Sequence, residues 1–298
     1  MLAITKSMAL QGLEGYLVSI QVDISNGMPD FQIVGLPDTS VKEAKERVKT
    51  AIKNSNIELL SRKIIINLSP ANTRKEGSLF DLAIAIGILI ANQNIKNIYL
   101  ENILKQTIFI GELSLNGNIE KVRGILPICI EAKKLGIRKI ILPKQNIEEA
   151  IGIEGIELLP VNNLKEVIEY LNGKKQLNAE KSKPFIFSEK TNYEVDFSEV
   201  KGQEEVKRAL EVATAGGHNC LMIGSPGTGK TMLAQRLITI LPDIKQEEIL
   251  EVTKIYSICG LTSKEKPFIS KRPFRAPHHT ITRASLIGGG KNPKPRRS

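Results

Sequence analysis

Eight consecutive residues, Gly224-Ser225-Pro226-Gly227-Thr228-Gly229-Lys230-Thr231, put glycines, a lysine and a hydroxyl at the spacing G-x-x-x-x-G-K-[ST]. Gly227 and Gly229 lack a Cβ, so the backbone N–H groups around them can turn inward and wrap a chain of phosphates. A helix opening after them would add its N-terminal partial charge at the same spot. Lys230 supplies a mobile cation for the β- and γ-phosphates, and the Thr231 hydroxyl is a ligand for Mg²⁺. The chemistry these residue types allow is the holding of a nucleoside triphosphate with its metal. A chance match in a chain rich in Gly and Lys is the plain alternative. The flanks weigh against it. Leu221-Met222-Ile223 is an apolar run suited to a buried strand, and Met232 to Ile240 carries Leu233, Leu237 and Ile240 at helical spacing.

The elements that would position this loop follow from periodicity. Glu204 to Ala215 has helical spacing in Val206, Ala209, Leu210 and Ala213, and Gly216-Gly217 ends it just ahead of the loop. Gln246 to Tyr256 is a further helix candidate. Upstream, Tyr16 to Ser25 alternates as a half-buried strand, with Phe31 to Val34 as its expected partner. Asp38 reads as the cap of a helix running to Asn54 that turns Val41, Ala44, Val48, Ala51 and Ile52 to one side. Lys63 to Leu68 is a β-branched strand candidate, and Leu79 to Asn92 an almost wholly apolar, buried helix. Thr107 to Leu113 and Asn118 to Val122 flank an Asn116-Gly117 turn, which predicts a hairpin. A helix from Leu126 to Leu135 closed by Gly136, a strand at Lys139 to Leu142 and a helix at Asn163 to Leu171 complete the expected set. These elements predict an α/β protein of two domains: residues 1–172, a polar linker at 173–195, and residues 196–298.

The composition, 41% hydrophobic and 25% charged, is that of an ordinary globular chain and excludes a low-complexity one. No leading segment has a signal-peptide pattern, and the longest apolar run, Leu82 to Ala91, is too short to span a bilayer. Cys129, Cys220 and Cys259 show no paired or metal-like spacing, so reduced thiols in a cytoplasmic protein without a membrane partner are expected. The net charge of +10 is unevenly placed: from Lys264 to Ser298 ten Lys/Arg face one acid, Glu265.

The stretch from Val200-Lys201-Gly202-Gln203 through Gly216-Gly217-His218-Asn219 into the glycine loop resembles the Mg-chelatase-like branch of AAA+ ATPases. The run Arg272-Pro273-Phe274-Arg275-Ala276-Pro277-His278-His279-Thr280, followed by Gly288-Gly289-Gly290, is far more specific to that branch. Gly111-Glu112-Leu113-Ser114-Leu115-Asn116-Gly117 and Ala132-Lys133-Lys134-Leu135-Gly136 are similar to the Lon-protease C-terminal fold, a ribosomal-S5-domain-2-like α+β module. That module ahead of a chelatase-type ATPase is the layout of the ComM/YifB family. The resemblance implies ATP and Mg²⁺ at Gly224 to Thr231, with Gln203 near the adenine. It also implies a cytoplasmic, ATP-driven homo-hexameric ring, and DNA branch migration in recombination during natural transformation. Arg272, Arg275 and Arg283 belong to the stretch expected at the ring's pore, where they would meet DNA phosphates without sequence preference. The plain alternative is a solvated basic end.

Aligned on the Lon serine and lysine motifs, Leu79 and Ile128 occupy the nucleophile and base positions, with Ser78 one residue early. Proteolysis needs both groups. A structural or partner-binding first domain is expected. His278-His279 lacks the acids or cysteines that would complete a metal set, so a structural or ring-contact role is expected there. Downstream of Thr231 no apolar run ends in the Asp-Glu pair that orients Mg²⁺ and the attacking water. After Pro293-Lys294-Pro295 the chain reads Arg296-Arg297-Ser298, where the family pattern continues toward that strand. A single inserted base would produce that ending. The expectation is a protein cut off ahead of its hydrolytic half, which binds nucleotide with turnover near zero. A non-enzymatic remnant acting as an interaction module and the ATPase subunit of a metal chelatase stand as the alternatives.

Overall fold

The computed structural model describes residues 2–59, 61–180, 193–263, 265–278 and 280–281. The chain opens with an antiparallel pair that the sequence pattern only half revealed, β1 (Leu2–Gln11) with β2 (Glu14–Ser25). Along β2, Val18, Ile20, Val22 and Ile24 alternate inward and are buried. β3 (Asp30–Val34) does not pair with β2 as expected. It runs parallel to β4 (Lys63–Ser69), which lies between the two, so the sheet order is β1-β2-β4-β3. The reason is α1 (Thr39–Asn54): a parallel pair needs a crossover of a dozen residues or more, and this helix supplies it. Asp38 caps α1 as read, its Oδ1 accepting from Val41 N at 2.7 Å, and the five predicted apolar residues are those the helix buries.

Behind this sheet runs α2 (Asp81–Ala91), buried on every side. A Cβ at Gly87 would lie 2.7 Å from Val22 Cγ2, so the glycine is what lets helix and strand meet this closely. At the head of α2, Asp81 is nearly sealed from solvent. Arg47 reaches it from α1 with N···O distances of 2.8 and 3.1 Å, and Leu113 N donates at 3.2 Å.

A second layer follows: α3 (Leu100–Gln106), β5 (Thr107–Phe109), β6 (Glu112–Leu113), β7 (Ile119–Glu120), α4 (Ile125–Lys134), β8 (Lys139–Pro143), α5 (Ile147–Ala150), β9 (Glu157–Val161) and α6 (Leu164–Leu171). The segment read as one hairpin strand, Thr107 to Leu113, is two. β5 joins a parallel sheet of order β5-β8-β9, while β6 pairs with β7 around Asn116-Gly117. The break falls at Ile110-Gly111, where the backbone turns away to bond Ile141 O, Leu79 O and Leu82 N. One core packs α1 and α2 on the mixed sheet; a second fills the space between α4 and the parallel sheet.

Beyond residue 193 come α7 (Glu204–Gly216), α8 (Lys230–Arg236) and α9 (Gln246–Ile258). Leu221-Met222-Ile223 is not the buried strand the sequence suggested. Leu221 and Ile223 are 85% and 89% exposed, and among the described residues no strand pairs with them. An extended segment becomes a strand only by bonding a neighbour. α9 turns back onto the second layer. Gly124 N donates to Ser257 O at 3.0 Å, Lys121 Nζ to Thr262 O at 3.1 Å, and Phe268 packs into the core around α4. No described helix is long and apolar enough to cross a membrane.

Candidate nucleotide site

The glycine loop is held by the helix that follows it. Leu233, one turn into α8, is buried with Phe197, Val200 and Leu210 in a small core of its own. Arg236 at the helix end reaches Glu199 at 2.6 Å, and Thr239 Oγ1 accepts from Phe197 N at 3.1 Å. α8 is thereby pinned to the turn at residues 197–199, and the loop ahead of it starts from a fixed point. No signal in the sequence identified this Glu199–Arg236 clamp.

Within the loop, Gly227 and Gly229 take φ of +81° and +83°, a left-handed backbone in which a side chain would be strained. Among the described residues no protein acceptor takes the N–H of Gly227, Thr228 or Gly229. Thr228 Oγ1 bonds back to Ser225 O at 2.9 Å and tightens the turn. Lys230 folds over its mouth, Nζ donating to Gly224 O at 2.8 Å, Ser225 O at 2.6 Å and Thr228 Oγ1 at 3.1 Å. Thr231 follows with its side chain exposed. Beside the loop lies a cavity of about 600 Å³ lined by Gln203, Val206, Leu210, Met222, Gly224 and Lys230, among others. Free amide donors, a cation held at the mouth and a half-apolar cleft next to it fit a phosphate chain carrying a planar base. The structure thus brings Gly224, Ser225, Pro226, Gly227, Thr228, Gly229, Lys230 and Thr231 together and places Gln203 on the same cleft.

The basic residues expected at a pore are arranged differently. Arg272 donates to Pro242 O at 2.7 Å and sits 3.1 Å from Glu248, while Arg275 stacks on Tyr256, 5.4 Å from the ring centre, and bonds its hydroxyl. Both are turned onto α9. The Lys245 backbone N–H, with help from Arg272, holds the Glu248 carboxyl below the usual range. Arg283 lies outside the described residues, as does His279. His278 Nδ1 is 2.8 Å from Thr280 Oγ1, and among the described residues no His, Cys, Asp and Glu group could hold a metal ion.

Among residues 1–172, the positions aligned with the Lon nucleophile and base are both apolar. Leu79 packs against the two cores and Ile128 is fully buried. Ser78 donates instead to Glu112, and the buried Lys75 ammonium to the carbonyls of Pro70 and Thr73.

Two family models match the chain: "Subunit ChlI of Mg-chelatase" over residues 20–146 and "Magnesium chelatase, subunit ChlI" over residues 196–297. The second spans the glycine loop and its clamp. Competence protein ComM of Haemophilus influenzae is 41% identical over 300 residues, covering 99% of this chain and 57% of that protein. YifB of Escherichia coli is 42% identical over 294 residues, covering 99% and 56%. The chain belongs to the ComM/YifB family of Mg-chelatase-like proteins. It spans a little over half the length of these ComM and YifB relatives. A Lon relation also holds: the archaeal Lon protease of Methanocaldococcus jannaschii is 27% identical over 154 residues, 51% of this chain and 22% of that protein. The first model is itself described as a chelatase subunit.

Proposed function

We propose that this chain is the nucleotide-binding part of a ComM/YifB-type AAA+ ATPase and takes ATP–Mg²⁺ at Gly224 to Thr231. The observation that carries the reading is the left-handed glycine turn with Lys230 Nζ across its mouth, opening on the cleft that Gln203 lines. On binding, the Lys230 ammonium exchanges the carbonyls of Gly224 and Ser225 for phosphate oxygens, and the loop amides take the remaining charge. Thr231 would hold Mg²⁺, which when bound neutralises charge between the phosphates.

The wider role follows from the relatives. The similarity to a protein named competence protein ComM supports the role that the family resemblance implies, DNA branch migration by a cytoplasmic hexameric ring with sequence-independent DNA contacts. The residues 1–172 form an S5-domain-2-like, Lon-type module without proteolytic function, whose role is structural or partner-binding. A second reading, the ATPase subunit of a metal chelatase, is favoured by the descriptions of both family models. The ComM and YifB matches across 99% of the chain support the first. Calorimetry of ATP–Mg²⁺ against the chain and its Lys230→Ala variant is the test. Heat of binding lost in the variant supports the reading; no uptake by the parent removes it.

A further inference from the structure

α1 carries Lys45, Lys49 and Lys53 at intervals of four residues, and so along one side of the helix. At 1.5 Å rise per residue they span about 12 Å. Together with Arg62 they line a groove of about 800 Å³ between α1 and the segment leading into β4. Some cations elsewhere on the surface find acids: Lys134 with Glu131 at 2.7 Å, Lys207 with Glu204 at 2.8 Å, Arg208 with Glu211 at 3.0 Å. In the groove they do not. Among the described residues none of Lys45, Lys49, Lys53 and Arg62 forms an ion pair, although Asp30 and Glu58 also line it. The carboxylate of Asp30 is already engaged, accepting from Phe31 N and Gln32 Nε2, both at 2.7 Å. Lys49 is steadied in place, its Nζ 5.1 Å above the ring of Phe31. Phe31 is itself buried, so the groove offers charge without a stacking platform.

We propose that this groove binds the sugar–phosphate backbone of a nucleic acid strand, as a contact separate from the Arg272–Thr280 stretch. A row of unpaired ammonium groups along a channel matches a linear polyanion, and each phosphate it neutralises releases counterions. The inference rests on the DNA role proposed above. It gives the first domain a task in that role: tracking the strand without reading its bases.

The test uses the full chain and a fluorescein-labelled, mixed-sequence single-stranded DNA, with anisotropy followed across a salt series. The triple variant Lys45→Gln, Lys49→Gln, Lys53→Gln keeps helix propensity and removes three charges. It is expected to bind at least about tenfold more weakly at low salt, with the slope of log K against log salt reduced by about 2, at roughly 0.7 per phosphate contact. The corresponding triple arginine variant should restore both. Should the glutamine triple fail to fold, Lys49→Gln alone should lower the slope by about 0.7. Wild-type binding that the glutamine variants leave unchanged in affinity and slope overturns the groove and spares the DNA role. No binding by the wild type overturns both.

Discussion

Glu149 is the group on which the return of α9 to the second layer depends, and replacing it measures that attachment. Its carboxyl, 4% exposed, accepts from Ser257 Oγ, from Thr262 Oγ1 at 3.0 Å and from Leu126 N at 3.4 Å. Ser257 and Thr262 are themselves buried, so water does not readily replace the acceptor. Glu149→Ala leaves two hydroxyls and an amide without it, at about 1–3 kcal/mol for each group left unsatisfied. Allowing the hydroxyls to turn toward other acceptors, the net cost is about 3–5 kcal/mol. Glu149→Gln keeps one carbonyl oxygen and can donate to a hydroxyl; it should cost about 1 kcal/mol. Hydrogen exchange read by mass spectrometry separates local from global loss. In Glu149→Ala the amides of α9 should exchange at least about 100-fold faster, the equivalent of roughly 3 kcal/mol, while β1, β2 and β4 keep their protection. Glu149→Gln should fall within about tenfold of the parent. Unchanged protection of α9 in the alanine variant would refute the claim that this carboxyl holds the helix down.

Thr231→Ala should weaken uptake of ATP in the presence of Mg²⁺ while leaving Mg²⁺-free binding nearly unchanged, as read by calorimetry. Burial raises the Asp81 carboxyl to about 6, against the opposing pull of Arg47. A raised folded-state value means that this group adds stability as pH falls through about 6, in full only below its ordinary value of 3.8. Urea melts between pH 7 and 4 should therefore show the wild type gaining up to roughly 3 kcal/mol relative to Asp81→Asn. Gly87→Ala, whose Cβ would press on Val22, should destabilise by about 1–3 kcal/mol in the same assay.

Much of the glycine loop was legible because its geometry is local. Glycines at 227 and 229 and the lysine after them act within eight residues, and no distant partner is needed to recognise them. The same holds for α1, whose cap at Asp38 and apolar stripe are both written in its own span. What the sequence hid depends on pairing. β3 found β4 and not β2 because the neighbour of a strand is set by the crossover helix, not by proximity along the chain. The split of 107–113 into β5 and β6 turns on a bond from Gly111 N to Leu79 O, thirty-two residues away, which no periodicity records. Lys45, Lys49 and Lys53 look like any solvated helix face until the groove beside them and their want of acidic partners are seen.

The two-domain division drawn from composition is also a statement about the chain and not about its contacts. Residues 173–195 mark a change from apolar periodicity to Lys, Ser, Asn and Glu, yet the described part of that stretch stays on the second layer, with Glu180 N bonded to Leu158 O at 2.9 Å. Further on, Phe268 fills out the core around α4, and α9 packs against that helix. The glycine loop, by contrast, is anchored by four buried side chains and one ion pair, and its entering segment leaves Leu221 and Ile223 in solvent. The loop therefore sits between a weakly held segment before it and a well-held one after it. Binding a triphosphate adds contacts on the weak side, so nucleotide should raise the protection of residues 221–231 more than that of α9, whose stability comes from Glu149 and the core around α4.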